Sequence, residues 1–121
     1  MTRINVGIPP KKLTTKHLIA EHREIKRIPN TVKNGKAKIQ GIPPLFTLGT
    51  GHVKFFYNKI LFLKKRYEEI YQECINRGFK VTYYGESFEG IDSRLMNDYA
   101  PTERDVRIVE ERIKERLGLE N

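Results

Sequence analysis

The sequence at positions 16–27 is KHLIAEHREIKR, and the predicted fold starts from this stretch. Successive residues of a helix are turned by about 100°, so Leu18 and Ile25 fall on one side of it, with His22 beside them. An apolar stripe with this spacing is typical of a helix that packs against a core. The stretch therefore predicts an amphipathic helix over residues 16–27.

Polar side chains occupy the other faces of this predicted helix. His17, Glu21 and Glu24 form one row, because residues three, four and seven positions apart share a helical face. Arg23 and Arg27 are four residues apart and form a second row beside it. A proton donor close to arms that bind phosphate is what chemistry on a nucleic-acid backbone requires. Charged helix faces are more often only solvated surface, so the rest of the chain has to decide between these two interpretations.

The composition indicates a folded, basic protein. The chain has 121 residues, a length typical of one domain, and its formal net charge is +8. A charge excess of this kind indicates a polyanionic partner, either nucleic acid or an anionic membrane surface. There is no run of about 18 apolar residues, so we expect no membrane span. The N-terminus also lacks the apolar stretch of a secretory signal.

The cysteine and histidine residues show no metal-binding pattern. Cys74 is the single cysteine, which favours a reducing, cytoplasmic location, and its place on an apolar stripe favours a packing role. His17 and His22 are five residues apart, whereas helical ligand pairs are spaced by four, and His52 stands alone. No glycine-rich phosphate loop occurs. We therefore expect no metal and no cofactor.

Local signals bound the first helix. Thr14 or Thr15 is expected to cap its start by accepting a hydrogen bond from an early backbone amide. Pro29 and Asn30 are expected to end it. Ahead of the helix, residues 1–10 contain a glycine and two prolines that oppose helix formation, so we expect an extended arm laid against the body.

The strongest helical signal follows position 50. Apolar and aromatic residues recur at steps of three and four over residues 53–74. They predict one helix from residue 51 or 52 to about residue 77, with Thr50 as its cap and Gly78 as its left-handed end. The charged run at residues 64–66 is expected at the surface.

Two other segments are predicted to be mainly irregular. Residues 29–49 contain several glycines and prolines and predict either a short helical turn around residues 30–35 or a functional lobe. Residues 79–84 favour β-structure but have no evident pairing partner, so we expect an extended loop.

The last helix is expected to start at Pro101 and Thr102 and to end at Gly118. A single turn of helix is expected within residues 93–98. Taken together, the pattern predicts a small all-α domain over residues 1–121, with three main helices and long connections.

The N-terminus supplies a nucleophile that needs no metal or cofactor. An α-amino group has a pKa of about 7.7–8.0, whereas the side chain of lysine has a pKa of about 10.4. The neutral amine can attack an electrophilic sugar carbon or an aldehyde and form a Schiff base. Thr2 is small enough for the initiator methionine to be removed, so we expect the mature chain to begin at Thr2.

Five blocks of sequence stand in a characteristic order. They are MTRIN at 1–5, HLIAEHRE at 17–24, GHV at 51–53 with FFY at 55–57 and Lys59, RGF at 77–79, and DY at 98–99 with Pro101. In this order they resemble the phage-type pyrimidine-dimer DNA glycosylase/AP lyase family, the ultraviolet-repair endonuclease V of phages. The resemblance covers residues 2–116, nearly the whole chain.

The resemblance implies both an activity and residue roles. Members of that family act on cyclobutane pyrimidine dimers in duplex DNA and then cut the strand by β-elimination at the abasic site. By this resemblance Thr2 supplies the α-amine that attacks C1′ of the 5′ nucleotide of the dimer. Glu24 assists the opening of the sugar ring and stabilises the imino intermediate. Arg23 and Arg27 hold the kinked backbone and the substrate, while Arg3 belongs to the inserted N-terminal arm.

The resemblance also implies the surroundings of these residues. His17 lines the site, and Arg112 and Arg116 contact phosphates from the last helix. The implied fold is a compact all-α domain whose N-terminal arm threads between helices, and the implied substrate duplex is kinked with one base flipped out. The expected partner is lesion-containing double-stranded DNA, bound by a monomer without a membrane or an obligate protein partner.

Two departures from the family leave the lesion open. The family's aromatic and basic C-terminal segment is missing from this sequence, and residues 79–99 diverge. An abasic-site lyase or a glycosylase for a different lesion is therefore a second hypothesis. The net charge of +8 alone is compatible with a third, a non-catalytic basic module that binds nucleic acid.

Overall fold

The computed structural model describes residues 2–118. Within this range the chain forms α-helices joined by loops and short 3-10 turns, without a strand, which confirms the predicted all-α fold. Three of these helices have at least 10 residues. The α-helices are α1 (Thr15–Glu24), α2 (Arg27–Lys33), α3 (His52–Phe55), α4 (Ile60–Asn76) and α5 (Glu103–Leu117).

The core is built around α4, which packs against α1. Leu63, Tyr67 and Ile70 of α4 are fully buried. Leu18 and Ile25, the apolar pair predicted from the first stretch of sequence, are fully buried as well. Burying one such side chain contributes about 1.5–3 kcal/mol, so the α1–α4 contact is a main source of stability.

The N-terminal arm lies between helices, as the resemblance implied. Ile4 and Val6 are fully buried. The Ile4 amide donates to His52 of α3 at 3.0 Å. The Ile8 carbonyl accepts a hydrogen bond from Arg66 of α4 at 2.6 Å. The arm is therefore held by its backbone as well as by its apolar side chains.

The arm also contacts α1 and α5. The backbone amide and the side-chain Nδ2 of Asn5 donate to Oε1 of Glu21 in α1, at 3.3 Å and 2.7 Å. Gly7 approaches α5 so closely that a Cβ atom at this position would lie 2.3 Å from Val106. The arm thus fixes the positions of the helices around it.

The first helix ends earlier than predicted. Helix α1 ends at Glu24 and α2 begins at Arg27, so Pro29 lies inside a helix and does not end one. Pro29 is tolerated because it is the third residue of α2, where backbone N–H groups have no intrahelical acceptor. At the start of α1 the predicted cap is confirmed, with Thr14 Oγ1 accepting from the His17 amide at 3.2 Å.

The long second helix was also predicted wrongly, because it is two helices. A turn at residues 56–59 separates α3 from α4, and Lys59 Nζ donates to the Phe55 carbonyl at 2.9 Å across this break. The spacing of apolar residues indicates which side chains are buried, and α3 and α4 both bury theirs in the same core. Thr50 is not the cap, since Gly51 occupies that position with φ of 89° and without a capping side chain.

The predicted end of α4 and the two predicted boundaries of α5 are confirmed. The chain leaves α4 through Gly78 in the left-handed conformation, with φ of 79°. Helix α5 starts at a capping box formed by Thr102 and Asp105 and ends at Gly118. Each signal is local in the sequence, which explains why these boundaries were predictable.

Of the two alternatives predicted for residues 29–49, the structure contains the short helical turn. Helix α2 supplies the short helical segment expected within residues 29–49, and residues 34–51 are irregular. Residues 79–84 have no strand partner, and Ser93–Leu95 forms a single 3-10 turn. None of the helices within the described range is long and apolar enough to cross a bilayer. Expectations about Met1 and about the end of the chain concern residues outside this range.

Candidate active site

A cavity of about 370 Å³ opens between the N-terminal arm, α1 and α5. Arg3 and Asn5 of the arm, Glu24 of α1, and Arg112 and Arg116 of α5 line it. The other lining residues are Lys16, His17, Ala20, Glu21, Ile113 and Leu117. The structure therefore gathers Arg3, His17, Glu24, Arg112 and Arg116, five of the residues proposed from the sequence, in one place.

Glu24 and Glu21 are the two buried carboxylates of this cavity wall, and Glu21 is already paired with Arg66. The side chain of Glu24 is only 10% exposed, and its Oε2 accepts a hydrogen bond from Arg23 at 3.2 Å. The Arg23 side chain is 58% exposed, so solvent screens this ion pair and its contribution to stability is small. The ion pair with Arg23 leaves Glu24 in the cavity wall.

Three arginines concentrate positive charge around that carboxylate. Burial lowers the pKa of Arg3, and the positive charges of Arg112 and Arg116 lower it further. Glu24 acts in the opposite direction. Nε of Arg112 is buried without a hydrogen-bond partner among the described residues, and its ion pair with Glu115 is 3.7 Å long. An anion such as a phosphate would relieve the repulsion among Arg3, Arg112 and Arg116, and it would accept charge-assisted hydrogen bonds from them.

His17 contributes a neutral imidazole to the wall. Burial lowers its pKa, and the nearby charges of Lys16 and Arg3 lower it further. Its Nδ1 lies 3.0 Å from Thr14 Oγ1, the same oxygen that caps α1. The helix cap therefore also orients this ring. Among residues 2–118, no group of three or more histidine, cysteine or carboxylate side chains could hold a metal ion.

Thr2 lies at the start of the arm that forms this wall. It is only 9% exposed, and it directly precedes Arg3, which interacts electrostatically with Glu24. The nitrogen of Thr2 is a peptide amide while Met1 is attached, and it becomes an amine when Met1 is removed. A mature chain beginning at Thr2 would thus start beside the cavity.

Comparison with known protein families identifies the family of this chain. Residues 1–84 match the family described as pyrimidine dimer DNA glycosylase. The match covers 84 of the 121 residues, including the arm and all of α1. The chain belongs to the pyrimidine dimer DNA glycosylase family. Membership supports a pyrimidine dimer DNA glycosylase function and indicates that the protein binds a DNA substrate.

The glycosylase match ends before α5, although α5 forms one side of the cavity. Arg112 and Arg116 therefore lie outside the matched residues, yet they share the cavity wall with Arg3 and Glu24 from within them. These two parts of the chain are far apart in the sequence, and the fold brings them together in one cavity wall.

The two remaining arginines predicted for the glycosylase site lie outside the cavity wall. Arg23 reaches Glu24 from the exposed side, whereas Arg27 is an exposed residue at the start of α2. The predicted row of Arg23 and Arg27 assumed one continuous helix, and α1 ends between them. They can still meet a long polyanion at the surface, but they do not enclose the cavity.

Arg66 is a residue of the glycosylase that sequence reasoning missed. It was expected at the surface with the run at residues 64–66, but its side chain is 6% exposed and its Nε donates to Glu21 at 2.7 Å. Its spacing of three from Leu63 and four from Ile70 places it on the buried stripe of α4, and that signal was present in the sequence. Glu21 holds both Arg66 and the arm, through Asn5.

Two wall residues had no predicted role. Asn5 lines the cavity, and its Oδ1 is buried without a hydrogen-bond partner among the described residues. Lys16 adds a further positive charge at the rim. Asn5 stood in the first sequence block, but nothing in the sequence alone separated its side chain from an ordinary polar residue of the arm.

Proposed function

We propose that this member of the glycosylase family is a bifunctional DNA N-glycosylase and abasic-site lyase, with residues 1–121 as one catalytic domain. It acts as a monomer on cyclobutane pyrimidine dimers in duplex DNA, using the α-amine of Thr2 to form a Schiff base. The observation that carries the proposal is the cavity in which the arm, beginning at Thr2, meets Glu24 and a cluster of arginines.

The first step replaces one bond at C1′ of the 5′ nucleotide by another. The neutral amine of Thr2 forms a bond to C1′, while the bond from C1′ to the pyrimidine nitrogen breaks and the base leaves with the electron pair. The attacking nitrogen then carries an extra proton. Glu24 takes that proton as a carboxylate and is positioned by the same cavity to pass it on.

Glu24 next donates the proton to the sugar ring oxygen. The bond between C1′ and the ring oxygen breaks, the nitrogen lone pair forms the second bond to C1′, and a protonated imine results. The carboxylate that remains stabilises this cation electrostatically. One buried carboxylate therefore serves as base, acid and counter-charge in succession.

The imine makes strand cleavage possible without a metal. A water molecule takes the C2′ proton, the electron pair of the C2′–H bond moves toward the imine, and the 3′ phosphate leaves with the electron pair of its bond to C3′. Water then hydrolyses the imine and restores the amine of Thr2. The strand is cut by β-elimination.

The arginines hold the phosphates on either side of the opened sugar. Arg3, Arg112 and Arg116 lie in the cavity wall, and their guanidinium groups can each form charge-assisted hydrogen bonds with phosphate oxygens. Extruding a base costs only a few kcal/mol and least at damaged sites, so lesion distortion supplies part of the selectivity.

The proposal is tested by separating cleavage from binding in Glu24→Gln. Gln keeps the size of the side chain but cannot exchange protons, so we expect cleavage of ultraviolet-irradiated duplex to fall at least about 100-fold. Binding to the same duplex should be retained. Glu111→Gln, on an exposed part of α5, is the matched control and should cleave normally. Normal cleavage by Glu24→Gln would instead favour a non-catalytic basic module.

A second candidate keeps the lyase chemistry and changes the lesion. The family match ends at residue 84, and α5, which closes the cavity, lies beyond it. Cleavage rates on duplexes that carry one dimer or one abasic site distinguish the two. Dimer cleavage supports the first candidate, whereas cleavage at the abasic site only supports the second.

A further inference from the structure

His52 is fixed between two backbone groups of opposite hydrogen-bonding type. Its Nε2 lies 3.0 Å from the amide nitrogen of Ile4, and its Nδ1 lies 2.8 Å from the carbonyl oxygen of Thr47. The amide can only donate and the carbonyl can only accept. The two partners therefore require a neutral imidazole with its proton on Nδ1.

Aromatic packing keeps this ring in place. His52 is only 4% exposed, and it packs edge to face with Phe46 and Phe56 at centroid distances of 5.5 Å and 5.3 Å. A ring held in this way cannot turn to find another partner. The nitrogen that meets the arm is therefore preorganised.

The charged groups around His52 come from the arm and from α1. Burial is the main cause that lowers its pKa, and the positive charge of Arg3 lowers it further. The hydrogen bond to Thr47 and the carboxylate of Glu21 act in the opposite direction, but that carboxylate is already paired with Arg66 at 2.7 Å. A proton added to Nε2 would remove the acceptor of the Ile4 amide and place a second cation near Arg3.

The bond to Ile4 sets the position of Thr2, because only one residue separates them. Consecutive Cα atoms are about 3.8 Å apart, so Thr2 stays within two such steps of Ile4 and a shift of Ile4 also shifts the start of the chain. Misplacing a reacting atom by about 1 Å can cost about 100-fold in rate. The amide of Ile4 is thus a fixed point only two residues from the amine.

We propose that His52 is a positioning residue for the N-terminal amine, acting through its hydrogen bond to the Ile4 amide. The role of the amine rests on the proposed function, whereas the hydrogen bond itself is a property of the protein without DNA. Imine formation then requires a neutral amine, which attacks, and is fastest when the imidazole that holds the arm is also neutral.

The first test examines the arm without DNA. His52→Gln can present an oxygen near the position of Nε2 and does not titrate, whereas His52→Phe keeps the ring but has no acceptor. We expect hydrogen exchange of the Ile4 amide to accelerate at least about tenfold in His52→Phe and to stay within about threefold of wild type in His52→Gln. Equal protection of Ile4 in wild type and His52→Phe would overturn the proposal.

The second test follows the rate of borohydride-trapped adduct with ultraviolet-irradiated duplex as a function of pH. As pH falls through the pKa of His52, measured by nuclear magnetic resonance, log rate should fall with a steeper slope in wild type than in His52→Gln, until wild type has lost about a further tenfold. Identical slopes would overturn the proposal. This comparison does not need His52→Phe, so it decides the matter even if that variant fails to fold.

The outcomes separate this role from the proposed function. At neutral pH we expect His52→Phe to form adduct about tenfold more slowly while its Kd for DNA stays unchanged. Normal adduct formation by His52→Phe would overturn the role of His52 alone. A wild-type protein that forms no adduct would overturn the proposed function and this role together, while Ile4 exchange still reports whether His52 holds the arm.

Discussion

The guanidinium of Arg66 and the carboxylate of Glu21 form a buried ion pair beneath the N-terminal arm. Nε and Nη2 of Arg66 donate to the two carboxylate oxygens at 2.7 Å and 3.2 Å. The same groups hold the arm, because Glu21 Oε1 accepts from Asn5 Nδ2 at 2.7 Å and Arg66 Nη1 donates to the Ile8 carbonyl at 2.6 Å. One charge pair therefore joins α1, α4 and the arm.

Removing one member of this pair should destabilise the protein strongly. Arg66→Met leaves the carboxylate of Glu21 buried without its counter-charge, so we expect a loss of about 3–5 kcal/mol in the free energy of unfolding. Lys65→Met is the control, because Lys65 pairs with Asp98 at the surface, and it should cost less than about 1 kcal/mol. Urea unfolding measures both, and equal losses would contradict the structural role of Arg66.

Stability should decrease on mild acidification because of the buried histidines. Burial is the main cause that lowers the pKa values of His17, His22 and His52, so the folded state binds fewer protons than the unfolded state, whose histidines titrate near about 6.5. The free energy of unfolding must then fall as pH decreases from about 6.5 toward the folded pKa values. Urea unfolding at a series of pH values measures this slope, which His22→Gln should reduce. A stability that rises with acidification over this range would contradict the prediction.

The arginines of α5 should contribute to DNA binding through phosphate. Arg116→Ala removes one cationic contact, so the slope of log affinity against log salt should become shallower by about 0.9. Arg107→Ala is the control, since Arg107 is exposed and nine residues away, on nearly the opposite face of α5. Fluorescence anisotropy at several salt concentrations measures both slopes. Equal changes in the two variants would place the DNA elsewhere.

The close approach of the arm to α5 should make Gly7 intolerant of a side chain. Gly7 and Gly35 have nearly the same φ, +74° and +76°, but a Cβ at position 7 would meet Val106 at 2.3 Å while one at position 35 has open space. Gly35→Ala should cost about 1–2 kcal/mol through its left-handed backbone alone. Gly7→Ala should cost about 1–3 kcal/mol more through overpacking. Thermal unfolding compares the pair, and equal losses would show that the arm does not press on α5.

The elements that were predictable from the sequence have local causes. Each of these signals involves residues only a few positions apart. They are the apolar stripe from Leu18 to Ile25, the capping box at Thr102 and the left-handed Gly78. The prediction from Pro29 was wrong because proline opposes the interior of a helix but is tolerated in the first turn, where Pro29 lies in α2. The break at residues 56–59 was hidden because it does not change which side chains are buried.

The residues of the candidate site also fall into those that were predictable from the sequence and those that were not. Glu24, Arg3 and His17 were named before the structure because the family resemblance implies a role for each of them, whereas it implies none for His52 of the block at 51–53. Arg66 and His52 act through partners 45 and 48 residues away, and no local pattern shows such a pairing. Their contribution becomes visible only when the arm, α3 and α4 are placed together.

The central claim is that the amine of Thr2 forms the covalent bond to the sugar. Its most direct test is intact-mass and fragment analysis of the complex trapped by borohydride on ultraviolet-irradiated duplex. The account predicts an adduct whose protein part begins at Thr2, with the DNA fragment attached to the α-nitrogen of that residue. Absence of an adduct from a processed protein, or attachment to a lysine side chain, would contradict it.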